Sequence, residues 1–225
     1  MGLTIEEKKK IIAQIIWSFI NSLFIFKYSY RVSLTAALIC TAIYNIVTGY
    51  LLFLCSKRKF SLPKAIWPWI LGGISILGAA AFYFIPVESI RVDRWEMIQI
   101  FWDSVHQGIY PYAVHSPAGN YPGPMPFYFI LSYPFYLIQE IGWMGIIAVW
   151  LVYLYIKNKK LDKESDTFVF TVLLLSATIY YEIITRSTIL LNSIIFLIYF
   201  LSLENIERQS KAKFYIYAFI GGIIL

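Results

Sequence analysis

The stretch AIWPWILGGISILGAAAFYFIP (65–86) carries no charged residue and runs directly into the polar segment VESIRVDRWE (87–96). A hydrocarbon core is crossed by about 20 residues of apolar helix, so this stretch predicts a transmembrane span. Comparable apolar runs occupy residues 11–26, 33–55, 143–156, 167–184, 187–203 and 213–225. Together the runs predict an all-α protein, a polytopic transmembrane helical bundle of about seven spans.

The composition supports a membrane protein. Hydrophobic residues make up 59% of the 225 residues and charged residues only 14%, with a mean hydropathy of +0.66. A core surrounded by water cannot hide that much apolar surface, which excludes an ordinary soluble domain. Because the chain stops inside an apolar run, FIGGIIL (219–225), we expect the N-terminal part of a longer protein, with 1–225 as a single transmembrane domain. The two leading spans lie within 11–55.

The positive charges predict an orientation rather than a nucleic-acid surface. The net charge is +6, and the basic residues cluster between apolar runs, at KKK (8–10), SKRKFSLPK (56–64), KNKKLDK (157–163) and ERQSKAK (207–213). Cytoplasmic loops are rich in Lys and Arg, and the four clusters share one side only if residues 125–139 do not cross. We therefore expect a cytoplasmic N-terminus, in a bacterial cytoplasmic membrane, and interfacial helices in the outer loop 87–140. Residues 125–139, with Pro134, are then one or two short helices.

Residues 95–109 form an amphipathic pattern. Apolar side chains recur every three or four residues, at Trp95, Ile98, Trp102, Val105 and Ile109. Polar residues occupy a neighbouring face, at Glu96, Gln99, Asp103 and Gln107. The pattern predicts a helix that lies along the bilayer with its apolar stripe turned to lipid or protein.

Asp93 follows the span 65–86 at the outer surface. A carboxylate near water but partly desolvated suits a general base, because it would be ionised near neutral pH even with a modestly raised pKa. A solvated interface acid paired with Arg91, Arg94 or a neighbour of Glu96 is the alternative, and Glu88 is another acid at the mouth of the same span.

Glu182 and Arg186 are four residues apart, and two readings of them stay open. Residues at this spacing share a helix face, so the two side chains form either an intrahelical ion pair or a site at which Arg186 binds a phosphate. His106 and His115 could ligate a metal with Asp103, but their spacing matches no metal signature.

One order of features resembles the first outer loop of the GT-C glycosyltransferases. An acid at Asp93 is followed by the 95–107 helix, the turn Gly108–Tyr112, and Tyr121-Pro122-Gly123-Pro124 before an aromatic helix. The stretch YYEIITRSTILLNS (180–193) is similar to an outer helix junction of some bacterial members. The resemblance covers about 65–205, although that family commonly has one span before the acidic loop, and this chain has three.

The resemblance implies transfer of a sugar from a polyprenyl-phosphate-linked donor to a glycan, lipid or protein acceptor at the extracytoplasmic membrane face. It implies that Asp93 is the catalytic base. Substrate contacts are expected at Arg186, Glu182, Tyr112, Tyr121 and His106. A divalent cation, Mg²⁺ or Mn²⁺, at Asp93 and His106 is left open. The rival functions are a transporter or flippase of lipid-linked sugars, and an inactive fragment that acts as a membrane partner.

Overall fold

The computed structural model describes residues 5–56, 60–89, 92–123, 125–207 and 211–224. Within these ranges the protein is all-α, with ten α-helices and no strand, which confirms the predicted fold class. The helices are α1 (Ile5–Tyr30), α2 (Leu34–Ser56), α3 (Trp67–Phe84), α4 (Arg94–His106), α5 (Pro126–Leu137), α6 (Trp143–Asn158), α7 (Lys163–Leu174), α8 (Ala177–Ile184), α9 (Ile189–Glu207) and α10 (Lys211–Ile224). Short 3-10 turns lie at Lys64–Ile66, Val87–Ser89 and Pro111–Ala113.

Three helical segments of the described chain are long and apolar enough to cross a membrane: Ile11–Tyr30, Leu34–Cys55 and Lys64–Phe84. At most 17% of the residues in each span's most apolar window are buried inside the protein, so these helices need an apolar solvent around them. The second and third segments match the predicted spans. The first continues four residues beyond the predicted end at 26, which gives it 20 residues and the length to cross.

The predicted span 167–184 is broken. Helix α7 ends at Leu174, α8 begins at Ala177, and the two are bent by 52°. The break leaves backbone carbonyls without helical partners, and phenols replace them: Tyr180 donates to Leu174 O at 2.7 Å and Tyr44 donates to Leu175 O at 2.9 Å. Three long spans, or four if the bent pair is one span, are therefore present by length and composition among the described residues. About seven spans are not confirmed, because α6 and α9 offer shorter apolar stretches.

The chain divides into two compact units. The first comprises Met1–Trp67 and Leu161–Tyr180, and the second comprises Pro68–Lys160 and Tyr181–Leu225. In the first unit α1 packs on α2 and α2 packs on α7. Buried polar side chains join these helices, since Ser176 Oγ donates to Asn21 Oδ1 at 3.2 Å. Lys64 Nζ pairs with the buried Asp166 Oδ2 at 3.1 Å.

The core of the second unit is built by α4, α5, α6 and α9. Its buried side chains are Trp95, Ile98, Phe101, Phe129, Tyr136, Ile141, Met144, Ala148, Leu191 and Ile194. The rings of Phe101 and Phe129 stack with centroids 3.8 Å apart, which fixes α4 on α5.

The predicted amphipathic helix 95–107 is confirmed as α4, but its buried face is shifted. Trp95 and Ile98 are buried as expected. Phe101, which lies outside the predicted stripe, is buried, whereas Val105 is 39% exposed. The shift arises because α4 packs against α5 through Phe101. The region 125–139, predicted to hold one or two short helices, contains one, α5 (Pro126–Leu137), with Pro134 inside it.

Candidate functional site

Asp93, the predicted general base, stands at the N-terminus of α4 in the second unit. It is the N-cap residue, yet its side chain makes no hydrogen bond to the helix. An N-cap aspartate ordinarily accepts a hydrogen bond from the backbone of the first helical turn. Here the carboxylate is turned to the loop 116–120. A side chain that gives up its local bond for a distant one identifies a position where local preference has been overridden.

The loop 116–120 supplies two hydrogen-bond donors to Asp93. Asn120 Nδ2 donates to Oδ2 at 2.6 Å, and Ser116 Oγ donates to the same oxygen at 2.9 Å. The backbone closes the loop, because Ser116 N donates to Asn120 O and Gly119 N donates to Ser116 O, each at 2.8 Å. Gly119 has a φ of 80°, a conformation that glycine adopts without steric cost. Ser116 is fully buried and Asn120 is exposed, so the carboxylate is held at the rim of the protein.

These donors make Asp93 a stronger acid than an ordinary aspartic acid. The hydrogen bond from Asn120 is the main cause that lowers the pKa of Asp93. Burial acts in the opposite direction, and the bond from Ser116 and the charge of Arg94 lower the pKa further. The hydrogen bonds therefore outweigh the partial desolvation that we expected at this position. Asp93 is ionised throughout the neutral range.

Beside Asp93, Arg94 forms an ion pair with Glu182, with Nη1 and Oε2 2.7 Å apart. Both side chains are partly exposed. Of the two readings left open for Glu182 and Arg186, the intrahelical ion pair is not formed, because α8 ends at Ile184 and the two residues do not share a helix face. The alternative that pairs Asp93 with Arg94 is not seen, since Arg94 hydrogen-bonds Glu182 instead. Arg91 lies outside the described residues.

Arg186 is buried, with only 2% of its surface exposed. Its Nε lies 3.1 Å from both carboxylate oxygens of Glu140, and Nη2 donates to Phe82 O and Ile85 O at 2.8 Å. These carbonyls lie at the C-terminal end of α3, where a helix has no backbone donors of its own. Arg186 therefore caps α3 and joins it to the turn before α6. A phosphate outside the protein does not reach this guanidinium in the observed conformation.

A groove of about 230 Å³ runs between α5 and the start of α9. Its walls are mostly apolar, and they include Phe127, Tyr128, Ile189, Asn192 and Phe196. The phenol of Tyr128 experiences the charges of Arg94, Glu182 and Asp93, and burial raises its pKa, so it stays protonated. The Tyr128 end of the groove therefore lies close to the charged cluster of Asp93, Arg94 and Glu182. An apolar groove that ends near charges suits an amphiphilic ligand.

His106 lies at the opposite end of α4 from Asp93. Thirteen residues of helix span about 20 Å, so the two side chains do not share a metal ion. His106 Nδ1 and Nε2 each lie 3.4 Å from a phenol oxygen, of Tyr136 and Tyr133 respectively. Within the described residues no group of three His, Cys, Asp or Glu side chains could hold a metal.

The two predicted tyrosines differ in accessibility. Tyr112 packs edge-on against Phe101, with centroids 5.4 Å apart, and belongs to the core of α4 and α5. Tyr121 is 65% exposed and follows Asn120 directly, so it is open to a ligand at the Asp93 site. The side chain of Glu88, and Pro124 of the predicted motif, lie outside the described residues.

Sequence reasoning missed the roles of four residues that shape the site. Ser116 and Asn120 bind Asp93, Arg94 is the partner of Glu182, and Glu140 is the partner of Arg186. The motif SPAGN (116–120) predicts a turn through its Pro, Gly and Asn. Nothing local indicates that this turn contacts Asp93, because Ser116 and Asn120 are 23 and 27 residues away in the chain.

Comparison of the chain with protein-family models, curated proteins and solved structures gives no match. The fold itself defines a class. Over the described residues the protein has helices and no strands, and three helical segments are long and apolar enough to cross a membrane.

Proposed function

We propose that the protein is a membrane glycosyltransferase that resembles the GT-C enzymes, in which Asp93 is the base for sugar transfer from a polyprenyl-phosphate donor. The observation that carries the proposal is the Asp93 carboxylate. It follows a long apolar helix in the chain. It accepts hydrogen bonds from the loop 116–120 and none from the backbone of α4, which it precedes, and it is ionised at neutral pH. The amphipathic helix α4 and the short helix α5 around it are features of the resemblance.

In the proposed reaction, a lone pair of an acceptor hydroxyl oxygen forms the bond to the anomeric carbon. The bond from that carbon to the phosphate oxygen breaks, and its electron pair leaves with the polyprenyl phosphate. The proton of the hydroxyl passes to Asp93. A carboxylate of low pKa suffices, because the hydroxyl becomes a strong acid as it bonds to an oxocarbenium-like centre.

We assign the phosphate contact to Arg94 in place of Arg186. Arg94 is partly exposed, follows Asp93 directly and, among the described residues, forms an ion pair with Glu182 alone, whereas all but one of the guanidinium nitrogens of the buried Arg186 are bound. The groove at Tyr128 offers an apolar wall for the first prenyl units of the donor. Glu182 and Tyr121 remain proposed substrate contacts, since both are accessible beside this cluster.

We also propose the predicted topology. The N-terminus and the four basic clusters face the cytoplasm, and α4 and α5 lie in the outer interface. The helices α6, α7–α8, α9 and α10 then complete about seven spans, and local thinning of the bilayer accommodates the short ones. The supporting observation is that α5 is a separate helix of 12 residues, too short to cross.

The test is the substitution Asp93→Asn in the chain reconstituted in liposomes with radiolabelled polyprenyl-phosphate sugars. Asparagine keeps the size of the side chain but does not take a proton, so turnover is expected to fall by roughly 10²–10⁴-fold. Asp103→Asn is the matched control, an exposed acid on the same helix, and it should retain most of the activity. Near-normal turnover in Asp93→Asn is incompatible with the assigned base.

A transporter or flippase of lipid-linked sugars is the second candidate, and one observation favours it. The pair α7–α8 is a broken span bent by 52°, and transporters place such interrupted helices at their binding sites. Donor lipid that crosses the bilayer of these liposomes without any sugar transfer would favour this candidate over the transferase.

A further inference from the structure

The two oxygens of the Asp93 carboxylate are not equivalent. Asn120 Nδ2 and Ser116 Oγ both donate to Oδ2, at 2.6 and 2.9 Å. No side chain of the described residues donates to Oδ1. An oxygen that already accepts two short hydrogen bonds is a poor acceptor for a further proton, because protonation costs it those bonds.

The two donors lie on the loop 116–120, whose conformation is fixed by its own hydrogen bonds. Ser116 is fully buried, and its hydroxyl oxygen also accepts a hydrogen bond from the backbone N–H of Asn120 at 3.3 Å. Two backbone hydrogen bonds close the loop, and Gly119 supplies the left-handed turn. The carboxylate in turn leaves the N-terminus of α4 without its side-chain cap. Such a cap is a usual source of helix stability, so the orientation of Asp93 is maintained against a local alternative.

We propose that Ser116 and Asn120 are positioning residues that saturate Oδ2 of Asp93, so that Oδ1 is the atom that takes the proton of the acceptor hydroxyl. The inference rests on the proposed function. The proton moves from the acceptor oxygen to Oδ1 as that oxygen bonds to the anomeric carbon, and it is later released to water. The two donors retain their own protons throughout.

The substitution Asn120→Ala tests the proposal, because Asn120 is exposed and its loss leaves the buried Ser116 in place. Without this donor the carboxylate rotates more freely, and kcat is expected to fall roughly 10- to 100-fold with KM unchanged. The acid limb of the pH–rate profile should move to higher pH, because the main cause that lowers the pKa of Asp93 is gone. Asn120→Gln keeps a carboxamide donor on a longer arm and should recover part of the rate.

The matched control is Gln107→Ala, an exposed amide at the far end of α4, which should change neither kcat nor the pH profile. A second readout needs no activity. Infrared difference spectra of the carboxyl band, assigned by subtraction of Asp93→Asn, should show that Asn120→Ala raises the pH at which Asp93 ionises.

The two proposals fail in different ways. If Asp93→Asn abolishes transfer while Asn120→Ala shifts neither the carboxyl band nor the acid limb, the positioning role is overturned and the base assignment stands. If Asn120→Ala shifts the carboxyl band while Asp93→Asn transfers sugar normally, the hydrogen bonds are those described but the proposed function is wrong, and the role of Oδ1 falls with it.

Discussion

Replacement of Arg186 by methionine should destabilise the second unit strongly. Arg186 is 2% exposed, and methionine fills much of its volume without a charge. The substitution leaves the Glu140 carboxylate, whose side chain is 20% exposed, without its cation. It also removes the donor to Phe82 O and Ile85 O at the end of α3. The predicted loss of stability therefore comes from the contacts of Arg186 with Glu140 and with the two carbonyls at the end of α3.

The magnitude follows from these contacts. Removal of one partner from a buried ion pair costs about 3–5 kcal/mol, and the partial exposure of Glu140 places this case near the lower figure. A loss of about 3 kcal/mol lowers the melting temperature by about 6–12 °C in a chain of this size. Arg186→Lys keeps the charge but not the planar guanidinium that binds the carboxylate and two carbonyls together. Its melting temperature should therefore lie between those of the wild type and Arg186→Met.

Thermal unfolding in detergent, followed by tryptophan fluorescence, measures the effect. Arg31→Met is the matched control, an exposed arginine at the end of α1, and it should melt with the wild type. The double variant Arg186→Met/Glu140→Gln should recover part of the loss, because neither charge is then left alone. If Arg186→Met and Arg31→Met have the same melting temperature, the contacts of Arg186 with Glu140 and the end of α3 do not stabilise the fold, and our interpretation of the buried pair is refuted.

Two further predictions concern topology and packing. In a chain whose native cysteines are replaced, Ala118→Cys should react with an impermeant thiol reagent from outside intact cells, and Lys159→Cys should react only after permeabilisation; the reverse pattern contradicts the orientation set by the basic clusters. Gly145→Ala should destabilise the protein by about 1–3 kcal/mol in thermal melts, since a Cβ there meets Ile183 at 2.9 Å, while the control Gly73→Ala has open space and should be neutral or slightly stabilising; equal melting temperatures would exclude close α6–α8 packing.

The helical character of the protein and its need for an apolar solvent could be read from the sequence. In a long uncharged run such as 65–86, a helix satisfies its interior backbone hydrogen bonds locally, so the helical character of α3 follows from its own sequence. The 3–4 residue spacing of Trp95 and Ile98 likewise determined helix α4, since amphipathic periodicity is a local property. Pro134 and the brevity of 125–139 indicated a short helix, and α5 is one.

The partners of the charged residues were decided by the tertiary structure alone. Arg94 meets Glu182 across 88 residues, and Arg186 meets Glu140 across 46. The four-residue spacing of Glu182 and Arg186 left an intrahelical ion pair open, and the pair does not form because α8 ends at Ile184. The exact end of a helix carries little sequence signal. The orientation of Asp93 was equally hidden, since its donors lie on a distant loop. Local periodicity depends on neighbours in the chain, whereas ion pairs and the pKa of a carboxyl depend on which segments the packing brings together.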